Sequence, residues 1–72
     1  MCLVSLKSMT YAVKAKKVLT KYNVDSEIIK LDSNMAQKGC SYGLNFDCLN
    51  LYMVEKALKE NNVKYSQIIT NM

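Results

Sequence analysis

Cys40 is the residue whose type and surroundings are best suited to chemistry. It lies in the stretch Lys38-Gly39-Cys40-Ser41-Tyr42-Gly43-Leu44, which holds both glycines of the chain. A thiol in a polar, glycine-flanked loop is open to a reaction partner, whereas a cysteine in an apolar core is inert. Its chemistry would be that of the thiolate, which attacks the sulfur of a disulfide or persulfide at a rate set by its ionised fraction and its intrinsic nucleophilicity. Lys38 would add positive charge two residues before the thiol. Gly39 would let backbone or substrate approach with no side chain in the way.

The missing residue types narrow the alternatives. Ten cations against six acids give a net charge of +4, and every cation is a lysine. Without arginine there is no planar fork for phosphate, carboxylate or guanine, so the basic balance is a weak pointer to nucleic acid, and phosphate hydrolysis needing an arginine-lined cradle is disfavoured. With no histidine, the commonest general base and metal ligand are both gone. No C-x-x-C pair occurs, so a tetrahedral metal site is disfavoured as well, and no residue pattern calls for a cofactor. The three cysteines, Cys2, Cys40 and Cys48, are an odd number at irregular spacing. The N-terminus lacks the pattern of a signal peptide, which together with the odd count suggests a reducing cytoplasm. No apolar run approaches the length of a membrane span.

The elements that must position Cys40 follow from the apolar pattern. Seventy-two residues, half of them apolar, suit one compact domain over residues 1–72. Cys2 to Lys7 begins apolar on both faces, as an internal strand does. Ser8 has the chemistry of a helix cap, and Met9 to Tyr22 is free of glycine and proline. There Ala12, Ala15, Leu19 and Tyr22 form an apolar stripe, with Lys14, Lys17 and Lys21 opposite. Asn23 suits a left-handed helix end, and Val24 to Leu31 reads as a second strand. Asp32-Ser33-Asn34 reads as a turn that opens a connection to Gly39, longer than a hairpin needs. Ser41 to Phe46 alternates, placing Tyr42, Leu44 and Phe46 on one face and Ser41, Gly43 and Asn45 on the other. Asp47 can cap a second helix to about Glu60, with Leu51, Val54, Ala57 and Leu58 as its buried stripe. Val63 to Thr70 closes the chain as a fourth strand. Each helix enters its following strand through Asn-Val, a faint internal echo.

Two βαβ units predict an α+β fold: a two-layer βαββαβ ferredoxin-like sandwich, its antiparallel four-stranded sheet ordered four, one, three, two, with two helices on one face. In that topology the start of the third strand meets the end of the first, so Cys40 lands beside Lys7 and Ser8, near the positive end of the first helix, where a thiolate is stabilised. Cys2 and Cys48 meet at the other end of the sheet, where apolar packing accounts for both. Strand two or four offers an edge to a second copy, so a homodimer is compatible with the pattern.

The same segment imitates an RNA-binding motif. Lys38 to Phe46 occupies the place of the K/R-G-F/Y-G/A-F-V-x-F/Y signature, but cysteine stands where an aromatic belongs and the first strand has no aromatic for a second stacking platform. Tyr42 and Phe46 are therefore expected in the core, and nucleic acid is disfavoured as a partner. The Lys14, Lys17 and Lys21 stripe reads as a solvated helix face, with docking of an acidic partner as its functional alternative.

Gly39-Cys40-Ser41-Tyr42-Gly43-Leu44 resembles the glycine-cysteine signature of the selenium/sulfur carrier protein-like family, a small bacterial domain of unknown function. Lys7-Ser8 ending the first strand, the helix with Ala12, Lys16 and Leu19, and the Asn-Val entry to the second strand extend the resemblance along nearly the whole chain. It implies a cytoplasmic carrier whose cysteine holds sulfur or selenium as a persulfide or perselenide. Cys40 would be the acceptor, and Gly39 and Gly43 framework. Lys38, Ser41 and Ser8 are the supporting residues expected around it. Donor and acceptor proteins would then be its partners, and it would be a thiol carrier more than a turnover enzyme. The alternative is a non-catalytic module that binds protein or RNA and uses Cys40 structurally.

Overall fold

A computed structural model of the protein describes residues 1–31 and 41–70. Its elements are β1 (Cys2–Leu6), α1 (Met9–Lys21), β2 (Ser26–Lys30), β3 (Tyr42–Phe46), a short 3-10 turn (Cys48–Asn50), α2 (Leu51–Glu60) and β4 (Gln67–Ile69). The four strands form one antiparallel sheet in the order β2-β3-β1-β4, which from the other edge reads four, one, three, two. β1 is buried along its whole length, as a central strand with apolar residues on both faces must be.

Register divides the side chains into two layers. Cys2, Val4 and Leu6 lie opposite Phe46, Leu44 and Tyr42. These residues share one core cluster with Ala12, Ala15, Val18 and Leu19 of α1 and Val54, Ala57 and Leu58 of α2. Both helices therefore cover the same face. On the other face Leu3 and Leu31 form a second, smaller cluster with Ile29 and Ile69 packed against it. Gly43 belongs to this side, and its missing side chain matters there. A Cβ built on it would stand 2.7 Å from Leu3 Cδ1 and 3.3 Å from Leu31 Cδ2, so the two leucines close over space that only glycine leaves.

Both helices end in the same way. Asn23 and Asn62 have positive φ, 61° and 54°. The amides of Val24 and Val63 donate to the carbonyls of Leu19 and Leu58, and those of Asn23 and Asn62 to Thr20 and Lys59. These are paired Schellman ends, in which asparagine tolerates the left-handed turn and the valine that follows packs on the leucine whose carbonyl it caps. Tyr22 then ties the helix ends together, its hydroxyl donating to Glu60 Oε1 at 3.1 Å and accepting from Asn61 Nδ2 at 3.4 Å.

Three expected boundaries shift by two residues or more. The second strand begins at Ser26, because Val24 is used by the helix end. The fourth shrinks to Gln67–Ile69, since Val63 closes α2 in the same way and Lys64 to Ser66 cross the end of the sheet, where the Ser66 amide donates to Ser5. Asp47 does cap, with Oδ1 accepting from the Leu49 amide at 2.9 Å, but the turn it caps is 3-10 and the α-helix starts at Leu51. The connection predicted from Asp32 to Gly39 lies outside the described residues.

Candidate functional site

The end of the sheet formed by Leu6 and Tyr42 is the one that leads to Cys40. These residues are register partners, and Lys30 sits opposite Tyr42 on the other side. Ser41 is exposed and its carbonyl accepts from the Leu31 amide at 2.9 Å, extending the β2–β3 pairing by one step. Ser8 caps α1 as expected, its Oγ accepting from the Tyr11 amide at 3.3 Å. That bond gives Ser8 a structural task at the helix start. Gly43 is buried. Lys38, Gly39 and Cys40, named as the thiol and its immediate support, lie outside the described residues.

A groove opens at this same end. Lys7, Tyr11, Val63, Lys64, Tyr65 and Ser66 line it, and no acid is among the described residues of its wall. Tyr11, Lys64 and Tyr65 carried no role in the sequence reading. The available signal was the polar run Lys64-Tyr65-Ser66, absorbed there into a strand that begins three residues later.

Cys2 and Cys48 also behave differently from expectation. They do meet at the opposite end of the sheet, but as a disulfide, with an S–S distance of 2.07 Å and a Cα–Cα distance of 5.1 Å. Apolar packing of two separate thiols is therefore corrected. The pairing of Cys2 with Phe46 brings Cys48 to within two residues of register, and that proximity permits the bond. Because the chain has three cysteines, it leaves Cys40 as the one outside the pair.

The RNA platform is absent from this geometry. Phe46 is only 1% exposed, and Tyr42 packs against the same core under the helices. The opposite face shows Leu3, Ser5, Glu27, Ile29, Gly43 and Asn45 among its described residues, with no ring on which a base could stack. Lys14, Lys17 and Lys21 are exposed along α1, while Lys16 donates from Nζ to the Ser26 carbonyl at 2.6 Å. No described helix is long and apolar enough to cross a membrane.

Residues 1–70 match the family model described as "Putative Se/S carrier protein-like". The chain belongs to this family. The match spans every described residue, from β1 to the end of β4, together with the segment that holds Cys40. No curated protein and no solved structure matches the chain. As an Se/S carrier-like protein it is characterised by its own residues: a Cys2–Cys48 disulfide at one end of the sheet and a groove lined by lysine and tyrosine at the other.

Proposed function

We propose that the protein carries sulfur or selenium on Cys40 and passes it between a donor and an acceptor protein. The family match over residues 1–70 carries this reading. The Cys2–Cys48 bond supports it by occupying the other two cysteines. In the loading step the Cys40 thiolate attacks the terminal sulfur of a donor persulfide. The new bond joins Cys40 Sγ to that sulfur, the donor's S–S bond breaks, and the donor leaves as a thiolate, so no net oxidation occurs. A donor-bound perselenide would transfer selenium by the same exchange. Unloading repeats it toward an acceptor thiolate, which attacks the terminal sulfur or selenium and releases Cys40 as a thiolate.

Lys38, Gly39, Ser41 and Ser8 belong to this reading as support for the thiol, and Gly43 as the framework that seats β3. The fold is read as a ferredoxin-like sandwich, supported by the strand order and by helices on one face. A non-catalytic interaction module is the competing reading. Its RNA-binding form loses support from the placement of Tyr42 and Phe46 in the core.

Mass spectrometry of the protein after incubation with a cysteine desulfurase and cysteine tests the proposal. The Cys40 peptide should gain one sulfur atom, and Cys40→Ser should gain none. An unmodified Cys40 under conditions that load a known carrier would overturn it.

A further inference from the structure

The grooves at the two ends of the sheet differ in the charge of the residues that line them. Asp25, Glu27 and Asp47 line a groove with Met1 and Asn50 at the end where the disulfide lies. At the opposite end Lys7 follows β1, Lys30 closes β2 and Lys64 precedes β4. Lys7 and Lys64 both line the groove shared with Tyr11 and Tyr65, a concavity of about 620 Å³.

We propose that this groove docks an acidic, extended segment of the protein that loads or unloads Cys40. The inference rests on the carrier reading for the identity of the partner, and on the groove alone for its chemistry. Charge complementarity selects an anionic occupant: two ammonium groups line the wall, and no described lining residue is acidic. The spread of contacts selects a peptide over a small ion. Lysine is a hydrated point charge that holds a lone anion weakly, whereas carboxylates on successive side chains can meet separate lysines. The Tyr11 and Tyr65 rings offer apolar surface to the chain between them, with hydroxyls for its polar groups. Lys14, Lys17 and Lys21 are also basic, but they follow α1 away from the sheet end. The Lys7–Lys64 groove lies at the end where β3 begins, one residue after Ser41, and Cys40 directly precedes Ser41 in the chain.

The test is an NMR titration of the full chain with a short acetylated polyglutamate peptide, with polyglutamine and inorganic phosphate as the comparison probes. Saturable shifts are expected at the amides of Lys7, Tyr11, Lys64 and Tyr65, with loss at high salt and little response to polyglutamine. Combined K7E and K64E should weaken the peptide about tenfold or more, and combined K14E and K17E less than about twofold. Shifts centred on Lys14, Lys17 and Lys21, equal binding of polyglutamine, or phosphate reproducing the whole pattern would each overturn the proposal. If the charge-reversed variant does not fold, the map and salt response of the native sequence decide the matter alone. Cys40→Ser should bind the peptide as the native protein does. Failure of Cys40 to load with the groove map intact would thus remove the carrier reading, and successful loading with no groove binding would remove this one.

Discussion

Gly43 shows how one position couples the candidate site to the core. It follows Tyr42 at the start of β3, and a Cβ there would meet Leu3 Cδ1 at 2.7 Å and Cγ at 3.1 Å. Leu3 is fully buried, so it cannot swing into solvent to make room. Overpacking of this kind costs about 1–3 kcal/mol, offset by about 0.5–1 kcal/mol from replacing a strand glycine. Gly43→Ala should therefore lower stability by about 1 kcal/mol, read as an earlier urea midpoint with an unchanged slope. Leu3→Ala will itself destabilise, but adding Gly43→Ala to it should then cost less than in the native background, because the closest contacts are gone and only that with Leu31 Cδ2 at 3.3 Å remains. A cost that stays the same in both backgrounds would show that Leu3 is not its origin. The sequence marks Gly43 as framework through its place in the cysteine segment. It does not show the reason, because Leu3 is forty positions away and only the register of β1 against β3 brings the two together.

At the scale of elements, the repeated Asn-Val junction has a shared mechanism. Asn23 and Asn62 both take left-handed backbone, and each is followed by a valine amide bonded to a leucine carbonyl five residues earlier. A β-branched or alanine side chain there carries a steric cost of about 1–2 kcal/mol that glycine avoids and asparagine partly avoids. Asn23→Ala and Asn62→Ala should each lower thermal stability by about 1 kcal/mol, while the glycine variants should match or exceed the native protein. Calorimetry on the four variants checks this, and alanine variants as stable as the glycine ones would remove backbone conformation as the cause. This junction was legible as an echo in the sequence, as were both helices and the alternation of β3. The extents of β2 and β4 were not. Residues such as Val24 and Val63 have strand propensity yet serve a helix end, and a single-residue pattern cannot say which backbone partner wins.

Across the whole molecule the grooves at the two ends of the sheet differ in their lining, with acids near the disulfide at one and lysines and tyrosines at the other. The disulfide escaped the sequence because an odd cysteine count argues against pairing, and because its partners are 46 residues apart. Only the fold brings them close. Its energetic weight follows from that separation. Closing a loop of this length removes chain entropy from the unfolded state worth about 4 kcal/mol in the simplest treatment, a large share of the 5–15 kcal/mol that stabilises an ordinary domain. Cys2 is fully buried at the start of the central strand, so an attacking thiol would have to enter by way of the exposed Cys48, and the departing Cys2 thiolate would be left in an apolar core. That makes the bond resistant to exchange and suits a structural role. Thiol titration of the unfolded, unreduced protein should find one reactive group per chain, rising to three after reduction. Reduction, or Cys2→Ser with Cys48→Ser, should lower the unfolding free energy by about 2–5 kcal/mol, while loading of Cys40 persists in the serine variant, without reductant, at temperatures where it stays folded. Loss of loading in a chain that is still folded would instead tie the two ends of the sheet together functionally, and an unchanged stability would remove the bond from the forces that hold this fold.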